Sequence, residues 1–351
     1  MDAVQGQGCL RYGALSSAGW RRWERRPKRT AVLLRWPVGP LRMFACLLES
    51  RRLYLAVVSA TVGFVKLCRF RSDNHARSVR IGLVTDDSNV VDLSAGGLEN
   101  LTALLEADDP ATIVRRITAT NPPRTAFTAI ELLPPVEQQE VWAAGVTYLR
   151  SKAARMEESD FSASAYDRVY SAERPEIFFK SLPEKVVATG GRVGIRRDAK
   201  WSVPEPELAL MLNSRGVVVG HTIGNDMSSR DIEGENLLYL PQAKTYHRSC
   251  ALGPWMVLGT PEAKAREWVI TLQIARDGRT VFAGETSVGQ IKRRFDELAE
   301  FLYRSQVFPH GAVLLTGTGI VPPDTFTLNE HDEIRIEISG IGVLQNQVSV
   351  V

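Results

Sequence analysis

The sequence predicts an α+β protein: a β-rich main domain preceded by a small N-terminal α/β domain. Three observations carry this. Apolar runs recur in pairs across turn signals: Leu208 to Leu212 with Val217 to Ile223 across Asn213-Ser214-Arg215-Gly216, and Trp268 to Ala275 with Thr280 to Ala283 across Asp277-Gly278. Helical spacing, by contrast, is confined to short stretches. With 351 residues, 44% of them hydrophobic, the chain is long enough to bury a large core and to form two domains. The expected division is a poorly ordered extension over 1–64, the small domain over 65–138 and the β-rich domain over 139–351.

Composition narrows the function. The net charge of +3 hides an asymmetry, because residues 1–52 hold eleven basic against three acidic side chains, a net +8. The remainder is therefore −5, which offers no polybasic surface for nucleic acid. Cys9, Cys46, Cys68 and Cys250 are scattered without a CxxC pair, as suits a reducing, cytoplasmic setting. The longest apolar run, Leu53 to Val65, is interrupted by Ser59, Thr61 and Gly63 and is too short to span a membrane.

Taken in order, residues 1–64 show no periodicity, and Trp20, Trp23 and Trp36 sit among arginines. Val79 to Val84 and Val90 to Leu93 form a hairpin across Thr85 to Asn89. Leu98, Leu101, Leu104 and Leu105 have helical spacing, and a second short helix runs from Pro110 to about Ala119. Asn121-Pro122-Pro123 ends that pattern, and Leu132-Leu133-Pro134-Pro135 leads out of the small domain. Val141 to Val146 reads as a buried strand, Thr147 to Asp160 as a polar surface element or lid, and Pro175 to Lys180 as a strand in which Glu176 and Lys180 share a face. Ser287 with Gln290 makes a capping box, opening a helix with Ile291, Phe295, Leu298 and Phe301 inward. Leu314 to Gly319 is a strand running into a glycine-rich turn without the lysine and serine of a phosphate loop, and Glu333 to Ile338 and Val343 to Val351 are strand-like.

The segment from Glu205 to Lys244 holds the densest chemistry. If Leu212 pairs with Val217, Glu207 falls opposite Thr222 and Glu205 opposite Gly224. Glu205, Glu207 and Asp226 then share one face, beside the small residues Ala209, Gly220 and Gly224, while Leu208, Leu210, Leu212, Val217, Val219 and Ile223 fill the other. Acidic residues at strand ends are commonly solvated, but like charges this close raise one another's pKa unless a cation lies among them. Three oxygen donors without a neighbouring His or Cys suit Mg²⁺, with Mn²⁺ or Ca²⁺ as alternatives, rather than Zn²⁺. Pro204 and Pro206 stiffen the approach to this site.

The combination GHTIGNDMSSRD, Lys244, ALGPW and LLTGTG resembles the fumarylacetoacetate hydrolase family, over roughly residues 65–351. That resemblance implies a β-rich roll with a divalent metal held by Glu205, Glu207 and Asp226. It also implies an active-site lysine at Lys244, substrate contact at Gly317-Thr318, and a homodimer or higher homo-oligomer. Two features depart from the family's hydrolases. Ser151 and Ala154 stand where a water-activating His and Glu are expected after Gly145-Val146-Thr147-Tyr148, and the interval from Glu207 to Asp226 is short. Both departures, with EGENLLYLPQAK and RPEIFFK, resemble the family's branch of 2-keto-3-deoxy sugar-acid dehydratases, whose acid/base glutamate carries onto Glu176.

The implied chemistry is water loss from a 2-keto-3-deoxy sugar acid, such as 2-keto-3-deoxy-D-arabinonate, to give 2,5-dioxopentanoate. A 2-keto acid chelates a divalent ion that acts as a Lewis acid while Glu176 removes the C3 proton. Lys244 offsets the excess negative charge and assists hydroxide departure or orients the substrate. Arg150, Ser151 and Lys180 are further candidate substrate contacts, and Arg230 with Asp231 is expected to form a structural ion pair. His247 and His310 are expected to have surface or structural roles. The alternatives are a carbon–carbon hydrolase of acylpyruvates or diketo acids, and a metal-stabilised binding protein without turnover. No nucleic acid or membrane partner is expected.

Overall fold

The computed structural model describes residues 64–73, 78–85, 88–149 and 168–351. The extension over 1–63, Arg150, Ser151 and most of the expected lid lie outside the described residues.

The chain alternates short strands with shorter helices. The strands are β1 Val65–Arg71, β2 Arg80–Val84, β3 Asn89–Asp92, β4 Arg124–Ala126, β5 Glu131–Leu133, β6 Glu140–Gly145, β7 Glu176–Ser181, β8 Arg192–Ile195 and β9 Ser202–Val203. They continue as β10 Pro206–Leu212, β11 Val218–Asp226, β12 Ser228–Ser229, β13 Cys250–Leu258, β14 Val269–Arg276, β15 Arg279–Ser287, β16 Ala312–Leu315, β17 Glu333–Ile338 and β18 Gly342–Val350. Among the described residues, an eleven-stranded sheet runs β4-β3-β2-β1-β13-β11-β10-β16-β6-β7, with β5 paired to β1. A second sheet of five strands runs β15-β14-β17-β18-β8. The hairpins expected at 79–93 and 268–283 are present as β2–β3 and β14–β15.

Both faces of the large sheet are covered. Leu208, Leu210, Leu212 and Ile223 pack on one side with Ile270, Leu272, Ile274, Ile334, Ile336 and Leu344 of the five-stranded sheet. Ala209, Met211, Leu252, Met256 and Leu315 pack on the other with Leu101, Leu104, Leu105, Val114 and Ile117 from the helices Leu101–Leu105 and Pro110–Thr118. Every residue of β10 is buried, which is why it reads as an unbroken apolar run with a carboxylate only near its start.

The structure corrects three sequence expectations. The β10–β11 register differs by one residue at the turn, where Leu212 meets Val218, and by two further along, where Glu207 meets Gly224. One residue comes from the longer turn, closed by Asn213 N donating to Val217 O at 3.1 Å, and the other from a bulge at Val219. An even shift preserves the faces beyond the bulge, but Val217 and Val219, expected beside Leu208, pack on the helix-covered side. Gly224 does not open space for carboxylates, because a Cβ there would meet Leu315 Cδ2 at 2.3 Å. Ser287 caps only the 3₁₀ turn Val288–Gln290, donation coming from Gly289 N, and the helix begins afresh at Phe295. Leu302 rather than Phe301 then completes its buried face with Phe295, Leu298 and Ala299.

We propose the division 65–138 and 139–351 as two domains sharing the large sheet. A chain beginning at Val65 retains β1 and is expected to fold with full activity. One beginning at Val141 loses β1–β5 and exposes the β13 edge where Leu67 pairs with Met256, so it is expected to be insoluble. Solubility and turnover of the two chains check this; an inactive Val65 chain would make the extension a structural element.

His221 lies in β11 with its ring centroid 5.6 Å from that of Trp268 and 6.0 Å from that of Phe295. Burial lowers its pKa from 6.5 to about 4. Below pH 6.5 the unfolded chain binds a proton that the folded chain refuses, so stability falls as pH drops towards 4, by about 3 kcal/mol in all. His221→Phe is expected to flatten this acid limb. Urea unfolding at pH 7 and 4.5 checks it, and an unchanged pH dependence in the variant would assign the loss to other groups.

Candidate active site

The start of β10 and the end of β11 lie side by side, since Pro206 pairs with Asn225 and Asp226 N donates to Glu205 O at 3.0 Å. This brings Glu205, Glu207 and Asp226 together, each buried, with one oxygen of each within 4.8 Å of the others. The pairing is tighter than the diagonal one expected from the sequence, and the longer turn together with the bulge is the reason.

Cations surround two of the three. Arg230 Nη2 donates to Glu205 Oε1 at 2.7 Å, so the arginine joins the cluster instead of pairing with Asp231, whose Oδ2 accepts from Lys200 N at 2.6 Å. Lys244 Nζ lies 2.8 Å from Glu205 Oε2, 3.2 Å from Asp226 Oδ2 and 2.6 Å from Ser228 Oγ. Lys180 Nζ forms an ion pair with Asp226 Oδ1 and donates to the carbonyls of Met227, at 3.0 Å, and Lys244. It lies where the β6–β7 register shifts, between Phe179, opposite Trp142, and Ser181, opposite Val141. Two backbone carbonyls thus accept hydrogen bonds from its ammonium, beside the ion pair to Asp226.

Glu207 differs. Its Oε2 accepts from Gly317 N at 2.5 Å. Burial, then the charges of Asp226 and Glu205, hold its pKa well above the usual carboxylate range, with Lys244 and the Gly317 amide pulling the other way. A carboxyl under this pressure gains most from a further cation. The donor set is all oxygen, so these residues fit a hard divalent ion such as Mg²⁺ and lack the nitrogen or sulfur that Zn²⁺ favours. Gly317 has φ +86, and a Cβ there would meet Thr147 Oγ1 at 2.2 Å, so only glycine delivers this amide to Glu207. Thr318 Oγ1 is engaged in its own turn, donating to Ile320 O at 3.2 Å.

Glu176 is half-buried and lines a cavity of about 320 Å³ with Val169, Arg174, Pro175, Glu233, Leu237 and Leu240. Gly145 faces it across β6, where a Cβ would come within 2.0 Å of Glu176 Oε2. Phe178, on the same strand, has its ring centroid 5.8 Å from Lys244 Nζ, which links the cavity to the carboxylate cluster. Neither His247 nor His310 lines this cavity. Sequence reasoning missed Ser228, Arg230 and Glu233 as members of the site. The signal was their position inside the run joining Asp226 to Lys244.

The family described as fumarylacetoacetate (FAA) hydrolase, C-terminal, matches residues 140–349. The chain is 47% identical over 217 residues to a probable 2-keto-3-deoxyxylonate dehydratase of Haloferax volcanii, covering 62% of this chain and 74% of the relative. It is 40% identical over 218 residues to the 2-dehydro-3-deoxy-D-arabinonate dehydratase of Saccharolobus solfataricus, covering 61% and 73%. A solved structure of 2-keto-3-deoxy-D-arabinonate dehydratase complexed with magnesium and 2,5-dioxopentanoate superposes with a TM-score of 0.68 at 32% identity, covering 82% of this chain and 99% of that one. With the family match spanning more than half of its length, the chain belongs to the fumarylacetoacetate hydrolase family.

Proposed function

We propose that this protein is a Mg²⁺-dependent hydro-lyase that removes water from a 2-keto-3-deoxy sugar acid, such as 2-keto-3-deoxy-D-arabinonate, yielding 2,5-dioxopentanoate. The observation that carries the reading is the buried Glu205–Glu207–Asp226 cluster together with a cavity lined by a separate carboxylate, Glu176. The three clustered residues would hold the ion. Bound there, Mg²⁺ supplies Lewis acidity to the keto and carboxylate oxygens of a 2-keto acid. Glu176, half-buried and lining the cavity, takes the C3 proton. Loss of the C4 hydroxyl leaves a 5-hydroxy-3-enone. It becomes the C5 aldehyde when a C5 proton is removed, the resulting dienol takes a proton at C3 and the remaining C5 enol ketonises. Lys244 orients the substrate carboxylate or gives a proton to the departing C4 hydroxyl. Apolar Val169, Pro175, Leu237 and Leu240 restrict water around the reacting carbons. Gly317 and Thr318 are proposed substrate neighbours, Gly317 also fixing Glu207, and Arg150 and Ser151 are proposed contacts from outside the described residues.

Incubating the purified protein with Mg²⁺ and either 2-keto-3-deoxy-pentonates or acylpyruvates tests this. Water loss with an intact carbon chain is expected; carbon–carbon scission, or binding without turnover, would overturn it. We extend the reading to a cytoplasmic homodimer on the strength of the family resemblance and the buried free thiols Cys68 and Cys250. No described helix is long and apolar enough to cross a membrane. Light scattering that gives a monomer mass would remove the dimer.

A further inference from the structure

Residues 168–171 are helical, and the chain passes from there through Arg174 and Pro175 into β7. The last carbonyls of a helix have no following turn to accept from. Here they are met by two side chains from one distant turn, as basic residues often do at helix C-termini. Arg293 Nη2 donates to Ala172 O at 2.5 Å and to Val169 O at 3.5 Å, and its Nη1 donates to Glu173 O at 3.0 Å. Lys292 Nζ donates to Tyr170 O at 2.5 Å and lies 4.2 Å from the centroid of that tyrosine's ring. Arg293 is buried, with Glu297 Oε1 2.6 Å from Nη1 as its counter-ion.

The turn that supplies both is itself held. Arg266 Nη1 donates to Ile291 O at 2.8 Å and its Nη2 to Arg293 O at 2.7 Å. Glu262 accepts from Arg266 Nε at 2.8 Å and from Phe295 N at 3.1 Å. On its other side, Lys292 N donates to Thr147 O at 3.0 Å. Thr147 backs Gly317, whose amide is fixed on Glu207. Residues 291–293 thus join the segment leading into Glu176 to the loop that holds a proposed metal ligand.

Only Arg174 and Pro175 separate Glu173 from Glu176. The proline fixes its own φ and restricts Arg174 to extended backbone, so a hold on Glu173 O carries over to the start of β7. Val169, Arg174 and Pro175 line the cavity together with Glu176, and Arg293 is not among the described residues that do. We propose that Arg293 is a positioning residue. By clamping the carbonyls of Val169, Ala172 and Glu173, it sets the cavity wall from which Glu176 reaches the C3 proton. This rests on the reading of Glu176 as the base. Misplacing a reacting group by about 1 Å costs up to about 100-fold in rate, so a clamp remote from the chemistry has leverage on it.

Arg293→Met removes the donors. It is expected to lower kcat and the rate of C3 proton exchange with deuterium together, by roughly 10- to 100-fold, with Mg²⁺ affinity by calorimetry unchanged. Arg293→Lys, able to reach a single carbonyl, is expected to recover part of both rates. Glu297→Gln breaks the ion pair but leaves the carbonyl contacts, and is expected to turn over like wild type. Wild-type kcat and C3 exchange in a folded Arg293→Met would overturn the proposal, whatever its melting temperature, and so would an equal loss in Glu297→Gln. Amide hydrogen exchange reads the clamp without substrate. Peptides over residues 168–176 are expected to exchange about tenfold faster in Arg293→Met, and unchanged protection there would overturn the proposal. Should Arg293→Met fail to fold, Arg293→Gln, which keeps one donor group, takes its place in every measurement. If wild type shows neither water loss nor C3 exchange, the reading of Glu176 fails and the proposal with it, faster amide exchange then marking the clamp as structural.

Discussion

Glu207→Gln is expected to abolish turnover and to weaken Mg²⁺ binding by roughly two orders of magnitude, because an anionic ligand becomes a neutral one. Of the three carboxylates, Glu207 gives the cleanest test. Its Oε2 accepts from a backbone amide, whereas Glu205 and Asp226 carry the ion pairs to Arg230, Lys180 and Lys244. Removing its charge also relieves the burial penalty and the repulsion from Asp226 and Glu205 that raise its pKa, so the metal-free variant should fold at least as well as wild type. Asp226→Asn is expected to lose activity and metal affinity too, but with a stability cost, since Lys180 and Lys244 are left beside a neutral amide in a buried site. Calorimetry with Mg²⁺ and melting in EDTA separate the two variants. Unchanged affinity in both would take Glu207 and Asp226 out of the ion's coordination.

Glu176→Gln is expected to lower kcat by roughly 10²–10⁴ with substrate binding retained, because the amide keeps the shape but accepts no proton. The close approach of Gly145 leaves no room to rearrange on the β6 side, so the substituted side chain stays where the carboxylate was. Metal binding should be unaffected, since Glu176 is outside the three-carboxylate cluster. Exchange of the substrate C3 proton with deuterium distinguishes the roles. A normal exchange rate in the variant would show that another residue is the base and would direct attention to Glu233, which lines the same cavity.

The sequence by itself determined the β-rich fold, the hairpins at 79–93, 208–223 and 268–283, and the convergence of Glu205, Glu207 and Asp226 on one face. Those features depend on local turn chemistry and on a side-chain period of two, which any extended segment obeys. Parity survives an even register error, which is why the carboxylates meet although the assumed pairing was two residues off. Only the tertiary structure decided the rest. The longer turn and the bulge at Val219 together turned a diagonal neighbour into a direct one, and buried Lys180 pairs with Asp226. Arg230 pairs with Glu205 instead of its sequence neighbour because a buried carboxylate competes more strongly for a guanidinium than a partly exposed one. Bulges and buried pairings are settled by packing between strands far apart in the chain. One strand's sequence does not contain the space that its partner leaves.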